Sequence, residues 1–191
     1  AGKGYKIIAT GEMGIGNTTT SSALASYFLQ EDVEKMTGRG AGLTSKALEK
    51  KIAVVRKAIA DYSPAFTDAI DALAALGGFD IAGMAGVFLG GAIYRVPIVM
   101  DGFISSTAAL TATRICPACK DFIMASHVSK EPAAEKILAA MDKEAALHCD
   151  MCLGEGTGAV TLFPILDLAT QIYEQMSTFE DIEIDAYVEL K

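Results

Sequence analysis

Tryptophan is absent from this 191-residue chain, and positive charge is scarce: 16 lysines and arginines face 24 acids, a formal net charge of −8. The shortage of basic residues argues against a nucleic-acid binder, because neutralising a phosphate backbone needs a basic face. Apolar runs of membrane-spanning length are also lacking. The charge-free stretch 81–94 falls short of the roughly 20 residues a span requires. The start, "AGKGYKIIATGEMG", carries no long apolar segment of the secretory type. Internal repeats, low-complexity tracts and linkers are missing too. What remains is half hydrophobic and rich in small residues. Its length suits one domain with a sizeable core, or part of a larger one. The expectation is a close-packed α/β protein of the cytoplasm. Because the chain opens without methionine and enters directly into what reads as an interior strand, missing N-terminal material is compatible with it.

One further absence frames the chemistry. "GEMGIGNTTTSSAL", from Gly11 onward, follows an apolar stretch and opens a helix, in the manner of a phosphate loop. A nucleoside-triphosphate loop reads G-x-x-x-x-G-K-[ST]. Gly11, Gly16 and Thr18 fit that pattern, but Asn17 stands where its lysine belongs. Backbone N–H groups at a helix N-terminus still favour an anion. Glu12 adds negative charge that disfavours a triphosphate, and a monophosphate served by a remote lysine tolerates it better. A tight turn with no ligand remains the alternative, as does a degenerate nucleotide-binding P-loop.

Along the chain, "YKIIAT" (5–10) reads as a buried strand, and Asn17 as the N-cap of a helix to about Gln30. A second glycine turn, Gly38–Leu43, leads into a helix over 44–62, where Leu48, Ile52, Val55 and Ile59 recur at helical spacing. Helices follow over 65–76 and over 79–95. The latter is apolar around most of its circumference and is expected to be fully buried, packed closely on a sheet through its glycines. A strand at 96–103 ends in Asp101. Then come a helix over 104–115, a strand over 121–126, and helical pattern over 129–152. A third glycine turn, "LGEGTGAV", opens a helix over 159–176, and the acidic tail after Phe179 is expected at the surface. Alternating strand, glycine loop and helix predict a parallel sheet with helices on both faces, a Rossmann-like three-layer arrangement with C-terminal helices in one domain. Ligands then bind beyond the carboxyl ends of the strands, where the glycine turns and Asp101 should gather.

Three single residues and two cysteine pairs stand out as carriers of chemistry. Glu155, flanked by glycines in "LGEGTGA", is a candidate general base or a helix cap. Partial burial would tune it as a base. Asp101 suits either sugar hydroxyls or capping of the next helix through Ser105 and Ser106. Lys51 is the natural remote cation, or one of several solvated lysines. Cys116-x-x-Cys119 and Cys149-x-x-Cys152 match the spacing of a four-thiolate metal site, although free thiols fit equally. A metal-stapled interaction module is therefore a further reading. His127 and His148 read as packing or surface residues, His127 having some prospect of ligand contact.

The stretches "GEMGIGNTT", "GRGAGL", "KKIAVVRKAI", "GGFDIAGMAGVFLGGA", "VMDGFISSTAAL", "ASHVS" and "LGEGTGA", in this order, resemble the nicotinate-nucleotide:dimethylbenzimidazole phosphoribosyltransferases, the CobT family of cobalamin lower-ligand assembly. The likeness spans nearly the whole chain and corresponds to the family's C-terminal part. It implies a glycosyltransferase that moves phosphoribose from nicotinate mononucleotide to 5,6-dimethylbenzimidazole or a related base, giving α-ribazole 5′-phosphate and nicotinate. Glu155 would be the base. Gly14, Lys51, Gly38 and Gly40 would hold the 5′-phosphate. Glu12, Asp101, Ser129 and Gly154 would lie near the ribose or nicotinate, with Met13 and Leu153 lining the slot for the aromatic base. The resemblance implies no cofactor or metal, no nucleic-acid or membrane partner, and a homodimer. The CxxC pairs lie outside the family's chemistry.

Overall fold

The computed structural model describes residues 1–185 and Val188. Three short strands form a parallel sheet in chain order: β1 (Ile8–Ala9), β2 (Ile98–Met100) and β3 (Ile123–Ala125). Ile8 pairs with Ile98, and Ile98 in turn with Ile123. Eight α-helices accompany them among the described residues: α1 (Asn17–Leu29), α2 (Val33–Met36), α3 (Ser45–Tyr62), α4 (Ala69–Leu76), α5 (Phe79–Tyr94), α6 (Phe103–Ile115), α7 (Ala134–Ala140) and α8 (Thr157–Gln175). The α/β class and parallel sheet expected from the sequence are both present. The strands are shorter than the apolar patterns that announced them, because their outer residues leave the ladder to start the functional loops.

Strand alternation sorts side chains onto two faces. Ile8, Ile98, Met100, Ile123 and Ala125 join the large core with α1, α5, α6 and α7. Ile7, Ala9, Val99 and Met124 point the other way, against Ala159, Leu162 and Phe163 of α8. Helices therefore cover both faces, but unequally. Among the described residues α8 closes the second face, and its outer side leaves Val160, Leu168, Ile172 and Tyr173 exposed. Pro164 sits within this helix.

α6 is the buried pillar. Ser105, Ser106, Thr107 and Thr111 are all in the interior, which a helix tolerates only if each hydroxyl finds an acceptor. Ser106, Thr107 and Thr111 donate to the carbonyls of Gly102, Phe103 and Thr107, one turn back. Ser105 instead bonds Thr10 on the loop after β1 and accepts the Asp101 N–H.

Three expectations need correction. α5 is not fully buried. Only Gly91 makes the close approach, since a Cβ there would stand 2.5 Å from Ile98, whereas Gly83, Gly86 and Gly90 face open space. Phe79, Ile93 and Tyr94 are likewise exposed. The helical pattern over 129–152 holds only for α7, because Pro132 lies ahead of it and a turn at Met141–Asp142, with Asp142 at φ 49°, ends it. Asn17 is the first residue of α1 rather than its cap, and Gly16 holds the cap position with no side-chain hydrogen bond to the helix. Of the tail, residues 180–185 and Val188 are exposed as expected, and the remainder lies outside the described residues.

Candidate active site

The carboxyl ends of the three strands deliver their loops to one rim. A cavity of about 620 Å³ opens there. Its wall combines the loop after β1 (Glu12 to Ile15), the Thr37–Ala41 turn, Gly102–Ile104 at the start of α6, His127 and Ser129–Pro132 after β3, and Cys152–Gly154. The rim expected for a parallel sheet is thus occupied by the glycine turns read from the sequence.

Two of those turns are joined backbone to backbone. The Glu155 N–H donates to the Glu12 carbonyl at 2.9 Å. Beside this junction, a Cβ on Gly11 would stand 2.3 Å from the Gly156 nitrogen and 2.5 Å from its Cα. No side chain is available to yield there. Gly11→Ala is therefore expected to force the two loops apart and cost about 1–3 kcal/mol, in the range of overpacking. Urea denaturation measures it, and an unchanged midpoint would refute the junction.

Asp101 decides where the third turn sits. Its carboxylate is almost fully buried, at 1 % exposure. One oxygen accepts the N–H groups of Gly158 at 2.8 Å and Ala159 at 3.2 Å, and the other accepts that of Gly156 at 3.0 Å. These are the otherwise orphaned donors of the α8 N-terminus, where a negative charge is also favoured by the helix dipole. Asp101 does cap a helix, but α8 rather than the α6 that follows it. With both oxygens committed and no place in the cavity wall, it acts as the anchor of the Glu155 loop and not as an open acceptor for ribose.

Glu155 lies between Gly154 and Gly156, and all three have left-handed backbones, at φ 75°, 58° and 79° in chain order. Glycine takes that region freely; glutamate does so at a cost and persists only where its surroundings hold it. The side chain is exposed rather than partly buried. It makes no hydrogen bond or ion pair among the described residues, and its neighbours Leu153 and Gly154 line the cavity. Glu155 itself does not line the cavity, and it is its backbone that is linked to the Gly14 turn, through the Glu12 carbonyl. Met13 and Leu153, 65 % and 66 % exposed, form open apolar lips rather than a closed slot.

Lys51 is buried, at 7 % exposure, and its ammonium donates to the Gly38 carbonyl and to Thr18 Oγ1, both at 2.9 Å. It thereby ties α3 to α1 and to the Gly38–Gly40 turn. Burial pushes it below the ordinary lysine range, while the nearby Glu131 carboxylate pulls the other way. Gly14 is in the wall, but its N–H is held by the Glu12 carboxylate. Ser129 lines the cavity and accepts the Glu131 N–H.

Several groups at or behind the wall were not singled out from the sequence. One is Asp80 of α5, which accepts from Asn17 Nδ2 at 2.8 Å while the same amide donates to Glu12, also at 2.8 Å. The residue in the lysine position of a triphosphate loop thus clamps two acids together. Asp80 was visible only inside the quoted stretch "GGFDIAGMAGVFLGGA". Glu131 and Thr37 carried no signal at all. His127, given only a small prospect, does line the cavity. Its Nδ1 lies 3.0 Å from Ser126 Oγ and 3.8 Å from Asp101. Burial lowers its pKa against the pull of Asp101. The neutral ring therefore contributes stability above the ordinary value of 6.5, which is lost as pH falls through the lower folded value.

The cysteines do not converge. Cys152 lines the cavity at the rim, whereas Cys116 caps the far end of α6, about 20 Å along that helix at 1.5 Å per residue. Cys119 is buried and its thiol is pushed up to about 11, chiefly by desolvation. Among the described residues, no group of three or more histidine, cysteine, aspartate or glutamate side chains is placed to hold a metal ion. The four-thiolate reading falls with that separation.

Comparison with known proteins agrees with this geometry. A phosphoribosyltransferase family model matches residues 1–184. The nicotinate-nucleotide–dimethylbenzimidazole phosphoribosyltransferase of Clostridium acetobutylicum is 53 % identical over 189 residues, covering 99 % of this chain and 54 % of its own length. Its namesake in Ruminiclostridium cellulolyticum is 50 % identical with the same coverage. A crystal structure of CobT from Thermus thermophilus superposes with a TM-score of 0.90 at 35 % identity, over 96 % of this chain and 55 % of that one. The chain spans about half the length of the curated relatives it matches. With strand order, glycine turns and a match across 1–184 in agreement, the chain belongs to the phosphoribosyltransferase family of nicotinate-nucleotide–dimethylbenzimidazole enzymes.

Proposed function

We propose that this chain carries the phosphoribosyl-transfer site of an enzyme that moves phosphoribose from nicotinate mononucleotide to 5,6-dimethylbenzimidazole or a related base. The observation that carries the reading is a single cavity shared by three elements. These are the Gly14 turn, the Gly38–Gly40 turn braced by Lys51, and the segment leading to Glu155.

In this reading the 5′-phosphate sits by Gly38 and Gly40, with Lys51 beneath it. The ribose and pyridine lie towards Glu12, Ser129 and Gly154, and the incoming base rests on Met13 and Leu153. One nitrogen of the base attacks C1′ while Glu155 accepts the proton from its other nitrogen. The C1′–N bond to nicotinate breaks on the opposite face, so the anomeric centre inverts. The pyridinium takes both electrons of that bond and leaves as neutral-ring nicotinate. Because the leaving group is already cationic, the residues supply positioning and one proton transfer. An apolar slot discriminates weakly among similar rings, so related bases should also react. The same reading makes the enzyme cytoplasmic and homodimeric. A triphosphate loop is the poorer reading, since Asn17 gathers Glu12 and Asp80 where a cation would be needed.

Incubation with nicotinate mononucleotide and dimethylbenzimidazole, followed by mass spectrometry, should yield α-ribazole 5′-phosphate and free nicotinate in equal amounts. Absence of the ribosylated base, with the nucleotide bound and intact, would sink the assignment. Lys51→Ala should weaken nucleotide binding by about tenfold or more, as expected for loss of a charged partner. Unchanged affinity in calorimetry would remove Lys51 from the phosphate site.

A further inference from the structure

Glu131 takes no part in the chemistry above, yet its carboxylate sits where an anion is expected. Oε1 accepts the Gly40 N–H at 3.2 Å. Oε2 is buried without a hydrogen-bond partner, and a Cβ built on Gly38 would stand 1.9 Å from it. The turn read as the phosphate cradle is therefore filled by a side chain of the protein. A second observation points to a polar ligand at the same place. Thr37, 3 % exposed, lines the cavity with an unpartnered hydroxyl.

A carboxylate with one oxygen dry and unpaired is a poor permanent tenant, because it has given up water and gained no donor in exchange. A phosphate has more acceptor oxygens to offer the same surroundings. Two anions beside Lys51 would repel each other, so the carboxylate must move aside when a phosphate enters. Glu131 lies in the Ser129–Pro132 segment of the cavity wall, so its carboxylate borders the space a phosphate would enter.

We propose that Glu131 is a resident anion in the phosphate cradle, displaced when the nucleotide's 5′-phosphate binds; this rests on the phosphate reading given above. Its effect is a threshold on occupancy. Moving the carboxylate costs every incoming anion the same free energy, so each apparent Kd rises by one common factor. Nicotinate mononucleotide clears the threshold with its ribose and pyridine contacts. Inorganic phosphate has the cradle alone and does not. Glu131 thus lowers occupancy by weakly bound anions, free phosphate included, without changing the ratio of the two affinities.

Calorimetric titration of inorganic phosphate and of nicotinate mononucleotide into the wild type, Glu131→Gln and Lys51→Ala tests this. Glutamine preserves size and can still accept the Gly40 N–H, but removes the charge facing Lys51. Glu131→Gln should tighten both ligands by the same factor, on the order of tenfold, and leave neutral dimethylbenzimidazole unaffected. Glu131→Asp, whose shorter side chain retracts from Gly40, should give an intermediate gain and serves if the glutamine variant misfolds. Unchanged or weakened binding in both variants, while Lys51→Ala still impairs the nucleotide, would overturn the resident anion and leave the phosphate site standing. Tightening of one ligand only would also overturn it. If neither ligand binds any of these proteins, both readings fall.

Discussion

Asp101→Ala should be the most destabilising single change at the rim, costing about 3–6 kcal/mol. Three buried backbone donors at the start of α8 lose a charged acceptor at once, and each unsatisfied buried group costs roughly 1–3 kcal/mol. No neighbour can replace it. His127 lies too far to bond it, and a Cβ on Gly158 would already stand 1.9 Å from that ring, so there is no space to repack. Asp101→Asn should be somewhat milder, because one oxygen still serves Gly158 and Ala159, while its amide hydrogens meet the Gly156 N–H donor to donor. Urea denaturation gives the global loss. Hydrogen exchange should show amides 156–159 losing protection well before those of α6. A loss below about 1 kcal/mol with normal protection there would mean that the α8 N-terminus does not depend on this carboxylate.

Glu155→Gln should behave in the opposite way. Its side chain is exposed and has no internal partner among the described residues, so stability should change by no more than about 0.5 kcal/mol. The backbone at φ 58° is equally costly for either residue. Turnover, however, should fall by roughly 10²- to 10⁴-fold, the usual contribution of a positioned base. The Kd for nicotinate mononucleotide should stay near the wild-type value, because the base acts on the acceptor and not on the phosphate. Wild-type turnover in this variant would remove Glu155 from the reaction. Weakened nucleotide binding with normal turnover would make it a binding group instead. Taken together, the two substitutions separate the acid that holds the loop from the acid that the loop presents.

Much of this was legible in the chain, for local reasons. Short apolar runs announced β1, β2 and β3, and the glycine turn directly after β1 and the acid ending β2 announced the rim where their loops meet, since strand period and turn chemistry are properties of neighbouring residues. The missing lysine in "GEMGIGNTT" pointed away from a triphosphate, and Lys51, read as a remote cation, does brace the Gly38–Gly40 turn. The burial of "FDIAGMAGVFLGGAIYR" was not legible, for the complementary reason. Composition shows that a helix lacks charge, but not which side a sheet covers, and Gly83, Gly86 and Gly90 proved to be on the open side.

The paired cysteines make the same point at longer range. Their spacing within each pair is a sequence property, but the distance between pairs is set by the length of α6, which carries Cys116 to the end opposite the rim.

By itself, then, the sequence determined the class of the fold, the order of the loops and the family, because these are written in residues close together along the chain. Tertiary structure alone decided the roles of the acids. Asp101 became an anchor because the α8 N-terminus, 55 residues further on, arrives with bare N–H groups. Glu131 came to face the Gly38–Gly40 turn because the loop leaving β3 returns to it, 91 residues further along the chain. Glu155 stayed exposed, its backbone held by Glu12 while no donor among the described residues reaches its carboxylate. A carboxylate's task depends on which donors reach it, and that is settled by contacts between distant segments.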